Sequence, residues 1–237
     1  MKNVSGRMLA VLAVMTAGIA VAEDIDLRVG GVLYAPNGAA ATGRDEGGLR
    51  TVDWDGGAGL ELQAVFWLGA SPWGIAASIG SATFDIENYS VAQNFGGATL
   101  HEFLEGDADM TVIGASIVRK LLAGDDARTK LSGALEAGIR HVSIDSNIDG
   151  WTGIGDDSGP ALTRDQSLDI GDSVVGFIGV NLDYAIAETV SIFLHGGFQF
   201  DLDKGEVKKR VVGAGADEAG ETELEALYGK IGLSFSL

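Results

Sequence analysis

The feature that most constrains this chain is an apolar–polar alternation at every second residue, recurring in eight separate segments. The segments are Ile25–Tyr34, Gly59–Leu68, Trp73–Phe84, Met110–Lys120, Lys130–Ile144, Val174–Tyr184, Val190–Phe200 and Leu227–Leu237. No helical stripe of useful length competes with them. A period of two gives each segment two faces, and the two faces meet different surroundings. The connections alternate as well. Those around Gly69–Pro72, Leu121–Thr129 and Ala185–Thr189 are short; Ala35–Ala58, Asp85–Asp109, Asp145–Ser173 and Asp201–Ala226 are long. Strict alternation of short and long predicts an all-β, eight-stranded antiparallel up-and-down transmembrane β-barrel, with short periplasmic turns and long extracellular loops. An even strand count puts both termini on the short-turn side.

The two faces say which solvent lies outside. One face is apolar in nearly every segment: Leu27, Val29 and Leu33; Leu60 and Leu62; Leu135 and Ile139; Ile178, Val180 and Leu182; Ile192 and Leu194; Ile231 and Leu233. The other carries Arg28, Glu61, Gln63, Lys130, Glu136, Arg140, Asp183, His195 and Lys230. A soluble carrier would put its apolar face inward, around a ligand. Charges inside and apolar residues outside fit a bilayer, where only helices and closed barrels satisfy their backbone groups. The fourth segment is ambiguous, and Arg119 is assigned inward there. Phe66, Trp73, Tyr184 and Phe235 fall near short-turn ends, and Phe198 and Phe200 near a long-loop end, as two aromatic belts would require. Leu62–Phe84 has no charged residue and is long enough for a membrane helix, but Gly69, Ser71-Pro72 and Gly74 at its middle read as a hairpin.

The N-terminus accounts for export. Lys2 and Arg7 precede an apolar stretch from Met8 to Val21, and Ala20-Val21-Ala22 is a small-x-small site before Glu23. Residues 1–22 are therefore expected to be a cleaved signal peptide and 23–237 the barrel domain, located in the outer membrane. Cleavage removes two positive charges and takes the formal charge from −18 to −20. So acidic a chain repels phosphate, and no nucleic acid is expected as a partner. The absence of cysteine excludes disulfides and thiolate metal sites.

With its signal peptide, eight strands and the closing alternation Gly229-Lys230-Ile231-Gly232-Leu233-Ser234-Phe235-Ser236-Leu237, the chain resembles the small outer-membrane barrels of the OmpA-like and porin-like superfamily. The resemblance implies insertion by the barrel-insertion machinery, which reads a last strand that usually ends in an aromatic residue. Here the chain ends in Leu237, with Phe235 two places earlier.

Three groups of residues could carry a function. Arg28, Glu61, Lys130, Glu136, Arg140, Asp183, His195 and Lys230 would pair inside a barrel just wide enough to be filled by side chains. They would form a network that closes the lumen, or else line a narrow porin-like channel for small solutes or ions. Asp145, Asn147, Asp149-Gly150 and Asp156 match the start of a calcium loop, but the last position is Asp rather than Glu. His141-Val142-Ser143 resembles the His-x-Ser pair of outer-membrane lipid A deacylases, without the rest of that motif. The expectation is a non-enzymatic barrel with a structural or surface-interaction role and no cofactor other than calcium at that loop. It would be monomeric and in contact with outer-membrane lipids and lipopolysaccharide. The channel and the lipid A esterase are the alternatives.

Overall fold

The computed structural model describes residues 24–41, 52–95, 98–122, 130–156, 159–213 and 218–237. The expected signal peptide lies outside the described residues. The strands are β1 (Asp24–Pro36), β2 (Ala39–Ala41), β3 (Val52–Asp53), β4 (Gly57–Trp67), β5 (Trp73–Phe95), β6 (Ala98–Leu122), β7 (Leu131–Asp156), β8 (Gly159–Ile170), β9 (Ser173–Ala185), β10 (Val190–Asp203), β11 (Glu206–Val211), β12 (Glu218–Glu221) and β13 (Ala226–Ser236).

Eight of them form a ring. The order β1–β4–β5–β6–β7–β9–β10–β13 returns to β1, and every pair is antiparallel. Each of the eight alternating segments supplies one ring strand. Two of the expected short turns are described: Leu68 N donates to Trp73 O across Gly69, which adopts the left-handed φ of 57° that suits a residue without Cβ, and Ile186 N donates to Val190 O; most of Leu121–Thr129 lies outside the described residues.

The long connections differ from the sequence expectation. Asp85–Asp109 is not a loop: β5 and β6 run on in register through it, from Asp85↔Asp107 to Gln93↔Thr99. Nor is Asp145–Ser173. There β7 continues to Asp156, leaving β9 at Val142 and pairing with β8 from Ile148 onward. β8 pairs with β11, and β11 with β12. β2 and β3 pair with each other; β3 lies against β5, and β12 against β2. The result is a cap of strands standing on the barrel.

The physical reason is a change of solvent along the strands. In the cap the alternation persists with its polarity inverted. The inner face is largely apolar (Phe84, Ile86, Leu104, Ala108, Ile148, Leu168, Ile170, Val207), with one buried ion pair, Lys209–Glu102 at 2.6 Å, to which Gln166 donates, and the outer face is polar (Asp85, Glu87, Glu105, Asp145, Asp149). Charged residues suggested loops, but here they mark the water-facing side of a strand. Among the cap's polar contacts, Leu224 N donates to Asp201 Oδ1 at 3.0 Å, and burial pushes that carboxyl above its ordinary value. Lys204 is held above its usual range by its hydrogen bond to Glu223.

On the barrel, Leu60, Leu62, Ile117, Ile139, Ile178, Leu194 and Ile231 are all more than half exposed on the outside. A belt of bare aliphatic side chains around a closed ring is the surface of a barrel immersed in hydrocarbon. The fourth segment turns the other way from the expectation. Met110, Val112, Ser116 and Val118 point inward, while Arg119 points out and lies 5.2 Å from the centre of the Trp73 ring. At a strand end an arginine can reach the interface and cover an aromatic ring.

Candidate functional site: a filled lumen beneath a cap

The barrel interior holds a compact charged layer built from six ring strands. Glu61 on β4 pairs with Lys230 on β13 and, at 3.6 Å, with Arg140 on β7. Glu136, four residues before Arg140 on the same inward face, accepts from Gln63 at 2.8 Å, Ser116 at 2.6 Å and Asn181 at 3.0 Å. His195 Nδ1 lies 3.5 Å from Glu136, and its Nε2 lies 3.1 Å from the Tyr228 hydroxyl. The Arg140 guanidinium is stacked 4.0 Å over Phe177 and 4.7 Å over Tyr228. These groups are all buried: Glu61 lies between two cations, and Glu136 is held by three neutral donors with His195 beside it, so neither carboxylate is left without compensation. Small residues make the room. A Cβ on Gly114 would come within 3.1 Å of Arg140 Cγ, and one on Gly197 within 2.5 Å of the Tyr228 hydroxyl.

Below this layer, toward the short turns, Arg28 pairs with Asp183 at 3.1 Å. That pair floors a polar vestibule of about 400 Å³, into which Asp26, Lys120, Trp67 and Ser234 also face. Above the layer the lumen is apolar. Val32, Tyr34, Phe84, Met110, Val112, Val142, Val175 and Phe177 pack into one buried cluster with Trp54, which arrives from outside the ring and donates to Glu223 O at 3.1 Å.

Of the residues singled out from the sequence, Glu61, Glu136, Arg140, His195 and Lys230 thus come together, and Arg28 and Asp183 form a separate pair. Lys130 stands exposed just before β7, apart from both. Gln63, Asn181 and Tyr228 share the inward faces of Glu61, Asp183 and Lys230 and complete the network. Ser116 was hidden by the inverted reading of the fourth segment; turning Arg119 outward would have placed it in the lumen. Among the belt aromatics, Trp73, Tyr184 and Phe235 are exposed, Phe198 and Phe200 are stacked with centroids 6.4 Å apart, and Phe66 is buried.

Asp145, Asn147 and Asp149 occupy alternate outward positions of the extended β7, where side chains fan along a face rather than wrap a cation. The Asp156 side chain lies outside the described residues. Among the described residues no His, Cys, Asp and Glu group is arranged to hold a metal ion. His141 and Ser143 face outward at the upper rim, and both approach Asp172. Ser143 Oγ donates to Asp172 Oδ1 at 2.9 Å, and His141 Nε2 lies 3.6 Å from Asp172 Oδ2. The serine proton is directed at the carboxylate, not at the imidazole that would have to remove it.

Fold and outer surface together define a class: a small transmembrane β-barrel of the outer-membrane type. Solved structures with the same course include the outer membrane protein AlkL in lipid bilayers, 14% identical over 90% of each chain with a TM-score of 0.50. A major outer membrane protein from Thermus thermophilus is 10% identical, over 90% of this chain and 99% of that one, with a TM-score of 0.47. The N-terminal β-barrel domain of Pseudomonas aeruginosa OprF is 11% identical, over 91% and 98%, with a TM-score of 0.41. The likeness to AlkL bears on the fold alone. No protein-family model and no curated protein matches the sequence.

Proposed function

We propose that this chain is a non-enzymatic outer-membrane barrel with a closed lumen, whose working surface is the extracellular cap. One observation carries the reading: the interior is filled by the layer of Glu61, Glu136, Arg140, His195 and Lys230, with the apolar cluster above it. An ion would have to break buried pairs and then cross a hydrocarbon-like plug, and both steps are costly. Stacked filling of this kind turns the barrel into an anchor, and it fixes the cap rigidly to the membrane. Purified protein in planar bilayers is expected to show no unitary conductance. Steady open events would overturn the closed-lumen reading in favour of a narrow channel.

Export by a cleaved leader belongs to the same reading. Protein recovered from outer membranes is expected to begin at Glu23, and an intact Met1 would contradict that. The enzymatic alternative has its own test: His141→Ala is expected to leave lipid A acylation unchanged, and loss of a deacylated product in that variant would establish an esterase.

A further inference from the structure

The outer face of the cap carries an arrangement that neither the barrel nor the filled lumen requires. In the extended parts of β5, β6 and β7, directly opposed residues form rows. Tyr89, Phe103 and Trp151 make one row, with Phe103 and Trp151 stacked at 6.1 Å and Tyr89 edge-on to Trp151 at 6.3 Å. Tyr89 is more than half exposed. The next row toward the membrane is Glu87, Glu105 and Asp149, all exposed. Asp85 and Asp107 with Asn147 follow, then Thr83 with Asp109 and Asp145. Like charges directly opposite on neighbouring strands are destabilising, yet here they recur in three successive rows. Departures from local consistency of this kind collect at functional surfaces.

We infer that this sheet face docks a cationic amphipathic peptide segment, whose basic side chains meet the carboxylate rows while its apolar side chains lie on the aromatic row. The choice of occupant rests on charge complementarity. The carboxylates are spread at strand spacing over three strands, and among the described residues none converge into a metal-binding group. Spread acids suit several separated cations rather than one ion. The ring row adds faces that attract both apolar and cationic groups. The surface is rigid beforehand, because its reverse side is the buried cluster of Ile86, Leu104, Ile148 and Leu168. Little ordering is therefore needed on binding. This inference rests on the cap being the working surface and is independent of whether the lumen conducts.

The test uses the full-length protein in nanodiscs of zwitterionic phosphatidylcholine, with a fluorescein-labelled decapeptide of alternating Lys and Phe as probe and an alternating Glu–Phe decapeptide as the sign control. Fluorescence anisotropy is expected to show saturable binding of the cationic peptide only. The shape-conserving variant Glu87→Gln/Glu105→Gln/Asp149→Asn and, separately, Trp151→Ala should each weaken it by roughly 10-fold or more. Asp203→Asn/Glu206→Gln/Glu225→Gln removes as much charge elsewhere on the extracellular side and should change it little. Equal loss in that control, or unchanged binding in the two face variants, overturns the inference. So does binding of neutral maltoheptaose at this face without the cationic peptide, which would make it a glycan platform. A conducting barrel that still binds the peptide would overturn only the closed lumen; a silent barrel that ignores the peptide would overturn only the docking face.

Discussion

Barrel and cap share the long strands β5, β6 and β7, and along these the apolar and polar faces change places. On β7 the inward residues change from Glu136 and Arg140 to Val142 and Ile148, while the outward ones change from Leu135 and Ile139 to Ser143, Asp145 and Asp149. β5 does the same, from Ser78 inside and Ile79 outside to Ile86 inside and Glu87 outside. The backbone does not register the change: the β5–β6 ladder runs unbroken across it. Periodicity therefore specifies strand, and its phase specifies the solvent. Where the phase inverts, the chain leaves hydrocarbon for water.

The largest expected effect tests the lower half. Glu136→Ala would leave His195, Lys230 and Arg140 facing a cavity without the carboxylate that Gln63, Ser116 and Asn181 also hold. Breaking one partner out of a buried ionic group costs about 3–5 kcal/mol. Urea-dependent refolding into detergent micelles, followed by heat-modifiable gel mobility, should show that loss. Wild-type stability would mean that water, not pairing, fills the lumen. In the upper half the corresponding test is Ile148→Ala, which opens a hole in an apolar core. About 2–4 kcal/mol is expected, measured in the same way. A cost near zero would mean that the cap does not fold as a packed body.

How much of this was legible in the sequence depends on which region is meant. The ring strands were readable because lipid on one side and a narrow lumen on the other enforce the alternation residue by residue. The network was readable at Glu61, Glu136, Arg140, His195 and Lys230 because charged residues on a face opposite Leu, Ile and Val have few places to go. Lys130 misled because it precedes the strand: β7 begins at Leu131, and a residue just outside a strand's end need not enter the lumen. Arg119 misled for the complementary reason: near the interface a long cation can lie on the outside against Trp73. The cap was hidden by composition. Asp-Ile-Glu at 85–87 and Ile-Asp-Gly at 148–150 look like loop chemistry, and only the partner strands show them to be the two faces of a sheet. The aromatic row could not be seen at all, since Tyr89, Phe103 and Trp151 are brought side by side only by the register.

A pair of matched substitutions sharpens the contrast between the outer faces. Ile178→Arg places a cation on the lipid-facing wall, where it should cost about 2–4 kcal/mol if the residue lies near the bilayer midplane. The same new side chain at Asp149→Arg, on the cap, should cost nothing measurable. Refolding of both variants into one lipid composition provides the comparison. Equal costs would mean that both faces meet the same solvent and would remove the inversion on which the two-region description stands.

The smallest expected effect has the opposite sign. Glu105 is flanked by Glu87 on one strand and Asp149 on the other, directly opposed on both sides. Glu105→Gln keeps the shape and removes both repulsions, each worth about 0.2–1 kcal/mol. The variant should therefore be slightly more stable than the parent at low salt. The gain should shrink as salt screens the exposed charges, with a Debye length of about 8 Å at physiological ionic strength. Glu136→Gln, the same chemical change in the lumen, should be destabilising and nearly indifferent to salt, because Glu136 and the groups that donate to it are buried away from solvent ions. One substitution type that stabilises at the cap's outer face and destabilises in the lumen would set repelling, water-exposed carboxylates apart from a buried, hydrogen-bonded one.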